Sequence, residues 1–583
     1  MKNPRGLLLL LSATLGCLCI FLAILYPLQR PPWRTFVGEW FFALFILIGH
    51  LNLSLAQPRL LSTPFIATLG VVSLGASLCV GLLGFSNPLL WTLIYCILAW
   101  LAYTKGLNSE SADVKHYVMS LVLALMLATL IGIMQRYDIV QIPDSLRAFV
   151  YIESDPTRTA TSIGQPNRFG VMAVIAAFLS LWLISQTDRK WSKIGLVLVI
   201  GILMQGAVIS QSRIAVLGLI TTTLVIISTR YVFTKTKSYK SLLLYLTPLM
   251  FYIVLAVIHS FALGMESRTL PFSQEASYTD PQRVRIWMLG LDAIFQSPWS
   301  GHGPGSVPSL ALDYSPMYGA FQYLIVTHLH NTPLDFLVEY GIPAGILITI
   351  LLYSWWIKSI LDSLKTDKIL ITCATIPLMM HSMVEYPLYY GYFLWLLFWL
   401  LGFTASDRVR NSGKVIQIHR APRLAFISLA LVACFLTLQT YLQVERMYTW
   451  ARNDRPDEVR VAAASPSALQ TILFGGLVKQ IAWLVTEVGP DSRLTPEQIA
   501  DLESAARAHP QYLLVWRSAV ANAASGRPDK AAWWAERLCH MFEPESCKAA
   551  KELWESVDRP DWPKLDWERW LKPTSPRPGQ GMS

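Results

Sequence analysis

Five short segments of this 583-residue sequence combine residue types that handle anions and protons. The first is Thr161-Ser162-Ile163-Gly164-Gln165-Pro166-Asn167, in which Gly and Pro around two amides make a fixed turn before a helix. Asn167 suits a helix N-cap, and Gln165 is left with an amide for a ligand; capping alone is the simpler reading of the segment. The second is Ser210-Gln211-Ser212-Arg213, a tight turn between two apolar runs. An arginine at a membrane surface commonly only snorkels, but its planar guanidinium also suits a bidentate phosphate contact. The third is Asp280-Pro281-Gln282-Arg283-Val284-Arg285-Ile286-Trp287, where Pro281 opens a helix running to about Phe295. Arg283 and Trp287 lie four apart and share a side, as in an interfacial helix with Trp at headgroup depth and Arg at a phosphate; a solvated basic turn is the plain alternative. The fourth is Thr327-His328-Leu329-His330-Asn331, immediately before an apolar run. Here a histidine can serve as a general base near neutral pH, and Asn331 suits the cap of the next helix. Two histidines one residue apart can bind metal, but no third or fourth ligand stands nearby, so neither metal nor cofactor is expected. Glu339, about 13 Å further along that helix, is read as structural. The fifth is His381-Ser382-Met383-Val384-Glu385-Tyr386-Pro387-Leu388-Tyr389-Tyr390. An interfacial aromatic belt accounts for tyrosines, but not for Glu385 and His381 at the same depth. Gly301-His302-Gly303-Pro304-Gly305 looks like a phosphate cradle but lacks a Walker lysine pattern, so it reads as a turn.

The elements that position these segments are membrane spans. The chain is 53% hydrophobic and only 15% charged, against roughly 25% charged for soluble domains. About thirteen apolar runs approach the ~20 residues needed to cross a bilayer: 7–27, 37–55, 64–84, 87–104, 116–135, 168–186, 194–209, 214–229, 241–263, 335–357, 369–383, 389–405 and 424–442. The first resembles a signal peptide, but no small-x-small cleavage site follows closely, so it reads as a retained helix. The expected fold class is an all-α polytopic membrane protein of about twelve or thirteen transmembrane helices.

Orientation follows from Lys and Arg, which favour cytoplasmic loops. With the N-terminus inside, the inside loops hold Lys2 and Arg5, Arg59, Lys105 and Lys115, Arg189 with Lys190 and Lys193, and comparable clusters up to Arg423. The short outside loops hold only Arg30, Arg34 and Arg213. All five polar segments then face the outside, with the long loops 136–167 and 264–334, in a transmembrane domain covering 1–442. Residues 443–583 form an outside helical domain. Within it, 510–541 reads as two amphipathic helices around Ser525-Gly526, like one tetratricopeptide unit. Such a domain either packs on the membrane part or presents a surface to a protein acceptor. Cys539 and Cys547, in that domain, are either a disulfide or two thiols. The net charge of +10 is explained by topology and not by nucleic acid, because no basic run is interleaved with aromatics.

Two arginines for phosphate, a histidine for a proton, and an amide and a phenol for a sugar suit glycosyl transfer from a lipid pyrophosphate. Four stretches carry a family resemblance: Gly164–Asn167; Ser212-Arg213; His328–Asn331 with Glu339-Tyr340-Gly341; and Val384-Glu385-Tyr386-Pro387-Leu388. Thr35-Phe36 and Glu39-Trp40 also fit, whereas nothing is inferred from Arg168. Together they resemble the O-antigen ligase superfamily, and within it the bacterial O-linked oligosaccharyltransferases of the PglL type, the pilin glycosylases. The resemblance runs over about 1–440 and is looser in the tail.

It implies an inner-membrane protein with a periplasmic cavity, an undecaprenyl-pyrophosphate-linked oligosaccharide as donor, and a serine or threonine of a periplasmic or pilin-like protein as acceptor. On this reading His330, Arg213 and Arg283 are catalytic, and Gln165, Asn167, Tyr386, Glu385, His328 and Arg285 bind substrate. The transfer would be metal-independent and inverting. An O-antigen ligase or polymerase, with a sugar hydroxyl as acceptor, is the first competitor. A transporter of the lipid-linked glycan is the second, disfavoured because no internal repeat is visible and the polar residues gather at one surface. The orientation is testable: alkaline phosphatase fused after residue 442 is expected to be active and fused after Lys190 inactive, and the reverse pattern would invert the topology.

Overall fold

The computed structural model describes residues 4–26, 31–56, 59–62, 86–139, 158–233, 239–263, 281–319, 326–412, 416–557 and 562–571. In chain order the helices are α1 (Pro4–Leu25), α2 (Phe36–Ala56), α3 (Ser86–Asn108), α4 (Ser111–Arg136), α5 (Pro166–Ser185), α6 (Lys190–Ser210), α7 (Arg213–Phe233) and α8 (Tyr239–Leu263). They continue with α9 (Pro281–Gln296), α10 (Val307–Asp313), α11 (Ser315–Tyr318), α12 (Thr332–Ser363), α13 (Ile369–Cys373), α14 (Ile376–His381), α15 (Gly391–Ser412) and α16 (Arg420–Arg452). The remainder are α17 (Pro456–Ala464), α18 (Ala468–Val485), α19 (Pro496–Ala508), α20 (Tyr512–Ala524), α21 (Pro528–Met541), α22 (Pro544–Glu555) and α23 (Trp567–Leu571). The described β structure is one short antiparallel ladder, with β1 (Arg59–Ser62) and β2 (Ile416–His419) paired Arg59 to His419 and Ser62 to Ile416.

Among the described residues ten helices are long and apolar enough to cross a membrane, and the shorter stretches Leu10–Leu25 and Ile369–His381 are also apolar. The protein is an all-α polytopic membrane protein. Each expected span corresponds to a helix or helix pair except 64–84, which lies outside the described residues, as do parts of the two long loops. One of the ten, Ala468–Val485, falls in the region that sequence analysis assigns to the tail.

The chain divides into two compact units, one drawn from Met1–Ser73, Leu93–Tyr278 and Ile348–Leu438, the other from Leu74–Thr92, Thr279–Leu347 and Gln439–Ser583. In the first unit α5 is the central helix: residues from Phe169 to Ile184 are buried without a break. A helix apolar on every side is stable only when surrounded. By contrast α8 leaves Leu243, Met250, Val254, Ile258 and Phe261 exposed, an apolar face suited to lipid and not to water.

In lipid the helices gain little from apolar burial against one another, so close backbone approach at small residues matters more. Helices α3 and α15 meet in this way: a Cβ at Gly106 would stand 2.1 Å from the Trp399 carbonyl oxygen, and one at Gly402 would stand 2.2 Å from that of Tyr103. Lys105, on the same helix, is not the loop charge that sequence analysis makes it. It is 1% exposed, and its Nζ lies 4.0 Å from the ring centre of Tyr117 and 4.4 Å from that of Phe45.

The second unit joins the tail to residues 281–319. Its core packs Leu502, Leu514, Val515, Trp534, Leu538 and Trp554 together with Leu312 of α10. Both oxygens of Asp313 accept from Arg507 Nη1, at 2.9 and 3.1 Å. Capping boxes at Ser467/Gln470 and Thr495/Gln498 start α18 and α19. The two helices expected around Ser525-Gly526 are α20 and α21, with Gly526 in the left-handed conformation at φ 67°. Cys539 and Cys547 form a disulfide.

The glycine contacts make a direct prediction. Gly402→Ala is expected to destabilise the protein by roughly 1–3 kcal/mol, read as a lower thermal midpoint in detergent. Gly489→Ala, whose added Cβ meets nothing within 4 Å, is expected to leave the midpoint unchanged.

Candidate functional site

In the first unit the approach to α5 is a 3-10 turn, Thr161–Ile163, followed by Gly164 at φ 75°, a left-handed position that favours glycine. Gln165 is then the extended N-cap and Pro166 the first helical residue. This displaces the expected role of Asn167: it lies one residue inside the helix and does not cap it. Its Oδ1 instead accepts from Arg158 Nη2 at 2.7 Å, and its Nδ2 lies 3.4 Å from Glu385 Oε1.

Arg158 ties this turn to the second segment, because its Nε donates to the Ser210 carbonyl at 3.3 Å. Close packing supports the junction: a Cβ at Gly170 would stand 2.4 Å from Ser210 Oγ. Gln211 takes the left-handed conformation at φ 47°. Ser212 Oγ accepts from the Ala215 amide at 3.3 Å, so Arg213 sits exposed in the first turn of α7.

The fifth segment closes the cluster. Glu385 is buried and Tyr386 half-buried. The Tyr386 ring stacks on Tyr390 at 5.7 Å, and Tyr390 on Tyr392 at 5.9 Å. Burial, then the neighbouring Tyr390 and Glu385, push the Tyr386 phenol well above its ordinary pKa, so it stays protonated and able to donate. Sequence analysis draws nothing from Arg168, yet this residue joins the two ends of the cluster. Its Nε donates to Gln165 Oε1 at 3.0 Å, its Nη1 donates to the Tyr392 hydroxyl at 3.2 Å, and its Cζ lies 4.2 Å from the centre of the Tyr390 ring. Behind it, Glu39 accepts from Thr35 Oγ1 at 2.6 Å and from the Tyr95 hydroxyl. A cleft beside this network is lined by Tyr26, Arg34, Thr35, Ser162 and Tyr392.

The other two segments belong to the second unit. The buried face of α9 is Ile286, Leu289, Ala293 and Ile294, while Leu291 is exposed. Gly290 lets Leu329 pack against α9, which seats the histidine segment on the helix carrying Arg283 and Arg285. Arg285 Nη1 donates to the Tyr318 carbonyl at 3.2 Å.

Asn331 caps α12 as expected, accepting from the Leu334 amide at 3.0 Å. Asp335, which sequence analysis does not single out, is fully buried and accepts the Leu329 amide at 2.8 Å. Its other oxygen lies 3.9 Å from His328 Nδ1. His330 is held at φ 54°, unusual for a residue with a side chain. Glu339 has the structural role expected of it: its Oε1 accepts the Gly305 amide at 2.9 Å. The glycine-rich loop is a turn that wraps this part of α12, with Gly301 and Gly341 both left-handed where the two backbones touch.

Thus Gln165, Asn167, Glu385 and Tyr386 are brought into one network in the first unit, joined through Arg158 to the turn that presents Arg213. Arg283, Arg285, His328 and His330 share one substructure of the second unit.

The fold and these clusters define a multi-pass membrane protein that carries polar groups at helix ends. The O-antigen ligase family model matches residues 203–349, and a model described as virulence factor membrane-bound polymerase, C-terminal, matches 369–556. Over those residues the chain is similar to the O-antigen ligase superfamily. Among curated proteins it is similar to a general O-oligosaccharyltransferase of Acinetobacter baylyi, 28% identical over 449 residues that make up 74% of this chain and 75% of the relative. It is also similar to a ComP-specific O-oligosaccharyltransferase of the same organism, 24% identical over 60% of this chain and 62% of the relative.

The Asp335 contact is testable without an activity assay. Asp335→Leu orphans the Leu329 amide and is expected to cost roughly 1–3 kcal/mol, with faster modification of His330 by diethyl pyrocarbonate. Asp335→Asn keeps a carbonyl acceptor and is expected to stay near wild type in both measurements.

Proposed function

We propose that this chain is an O-linked oligosaccharyltransferase that moves a glycan en bloc from undecaprenyl pyrophosphate to a serine or threonine hydroxyl of a periplasmic or pilin-like protein. The observation that carries the reading is the Gln165–Arg168–Tyr390–Tyr386 network, which joins Gln165 and Tyr386 from two of the resembling stretches. Similarity to two proteins named O-oligosaccharyltransferases supports the same acceptor class.

In this reading Arg213 and Arg283 contact the pyrophosphate and stabilise the charge that grows on it as the glycosidic bond breaks. His330 accepts the proton of the attacking hydroxyl. Gln165 and Tyr386 orient the sugar or the pyrophosphate, and Asn167, Glu385, His328 and Arg285 bind substrate. The pyrophosphate is already a good leaving group, so no metal is invoked, and a single displacement inverts the anomeric carbon. The protein sits in the inner membrane with its N-terminus in the cytoplasm and its reactive groups in the periplasm. Residues 1–442 form the membrane domain and 443–583 the periplasmic helical domain.

The family models name a ligase and a polymerase, which favours a second reading with the same donor and a sugar hydroxyl as acceptor.

The test is co-expression with a lipid-linked glycan pathway and a pilin, followed by intact mass of the pilin. A glycan-sized increase is expected, reduced roughly 10²- to 10⁴-fold in rate in His330→Ala. Extended lipopolysaccharide with unmodified pilin would select the second reading. An unimpaired His330→Ala would remove His330 from the mechanism.

A further inference from the structure

Gln165 is the N-cap of α5, yet its side chain makes no capping hydrogen bond. Its Oε1 is instead occupied by Arg168 Nε at 3.0 Å. An arginine has only donors, so this contact fixes which end of the amide is oxygen and leaves both Nε2 hydrogens on the other side. A ligand atom meeting the Gln165 NH₂ group must therefore be an acceptor.

The Cζ of the same guanidinium lies 4.2 Å from the centre of the Tyr390 ring, and Tyr390 stacks on Tyr386 with 28° between the rings. Its Nη1 is used on the Tyr392 hydroxyl. On the far side, Glu39 also accepts from the Gly391 amide, between Tyr390 and Tyr392. One planar group thus sets the amide of Gln165 and the ring of Tyr386. A lysine, with a point charge on a flexible stem, cannot reproduce two divergent hydrogen bonds and the contact with the Tyr390 ring together.

We infer that Arg168 is a positioning residue that presents the Gln165 NH₂ group and the Tyr386 ring to the donor, and that Gln165 donates to an oxygen of the donor's pyrophosphate or first sugar. This rests on the glycosyl-transfer reading for the identity of the donor. Arg168 makes no contact with the reacting atoms; its effect passes through Gln165 and Tyr386.

The experiment uses the full chain in lipid nanodiscs, with binding of undecaprenyl pyrophosphate and of its glycan-bearing form measured separately, alongside transfer to pilin. Gln165→Glu keeps the shape and the bond to Arg168 but places an oxygen where the NH₂ stood. It is expected to weaken donor binding roughly 10- to 100-fold without lowering the thermal midpoint. Weakening of both lipids assigns the NH₂ to phosphate, and weakening of only the glycan-bearing lipid assigns it to sugar. Unchanged binding of both would overturn the assignment.

Arg168→Lys is expected to lower kcat roughly tenfold or more with the KM for pilin unchanged, and Arg168→Gln to lower it further. Wild-type kcat in Arg168→Lys would show that charge alone suffices and would overturn the positioning role. A wild-type chain that binds donor but modifies no pilin would refute the acceptor reading while leaving the binding comparison decisive. A wild-type chain that binds neither lipid would refute both.

Discussion

A cation at the end of an apolar helix must be compensated locally, and the first unit is organised around that constraint at Arg168. Leaving a half-buried guanidinium unpaired costs more than a lost neutral hydrogen bond. Here the compensation is shared among an amide oxygen, a phenol oxygen and an aromatic face. Each partner is thereby fixed in turn: Gln165 in its amide orientation, Tyr392 by its hydroxyl, and Tyr390 by stacking that extends to Tyr386. Arg158 solves a similar problem next to it, bridging the Asn167 side chain and the Ser210 carbonyl. Arg168 and Arg158 thus hold three segments in register.

Close backbone approach is the second condition. Gly170 admits Ser210 against α5, and Gly106 and Gly402 admit α3 against α15. In lipid, where apolar surface gains little by leaving its surroundings, such contacts and the polar bonds they permit supply much of the specificity of packing. In the second unit Gly301 and Gly341 play a comparable part. They allow the glycine-rich loop to lie on α12, where Glu339 and the His302 and Gly303 amides complete its hydrogen bonding. The histidine segment is anchored from within by Asp335 and Asn331, so His330 is presented by a loop whose neighbours are fixed.

The tail and residues 281–319 form one unit because α10 supplies Leu312 to the tail's core and Asp313 to Arg507. The helix bearing Arg283 is therefore in the same compact body as the helical tail. That gives the tail a structural role.

Local features are legible in the chain alone. Span positions follow from the length of apolar runs, the cap at Asn331 from a side chain three residues from its partner, and the α20–α21 pair from amphipathic period around Ser525-Gly526. Gly164, Gln165 and Pro166 likewise make the expected turn. Relations between distant residues emerge only on folding. Asn167 meets Glu385 across 218 positions and Arg168 meets Tyr392 across 224. That is why Asn167 reads as a cap and Arg168 as nothing when the chain is read alone. Lys105 reads as a loop charge because no local signal reveals the aromatic rings, contributed by three other helices, that enclose it. Periodicity and capping act within a few residues of chain, whereas a buried cation is stabilised by whatever the fold brings to it, and the fold draws those partners from the whole length of the molecule.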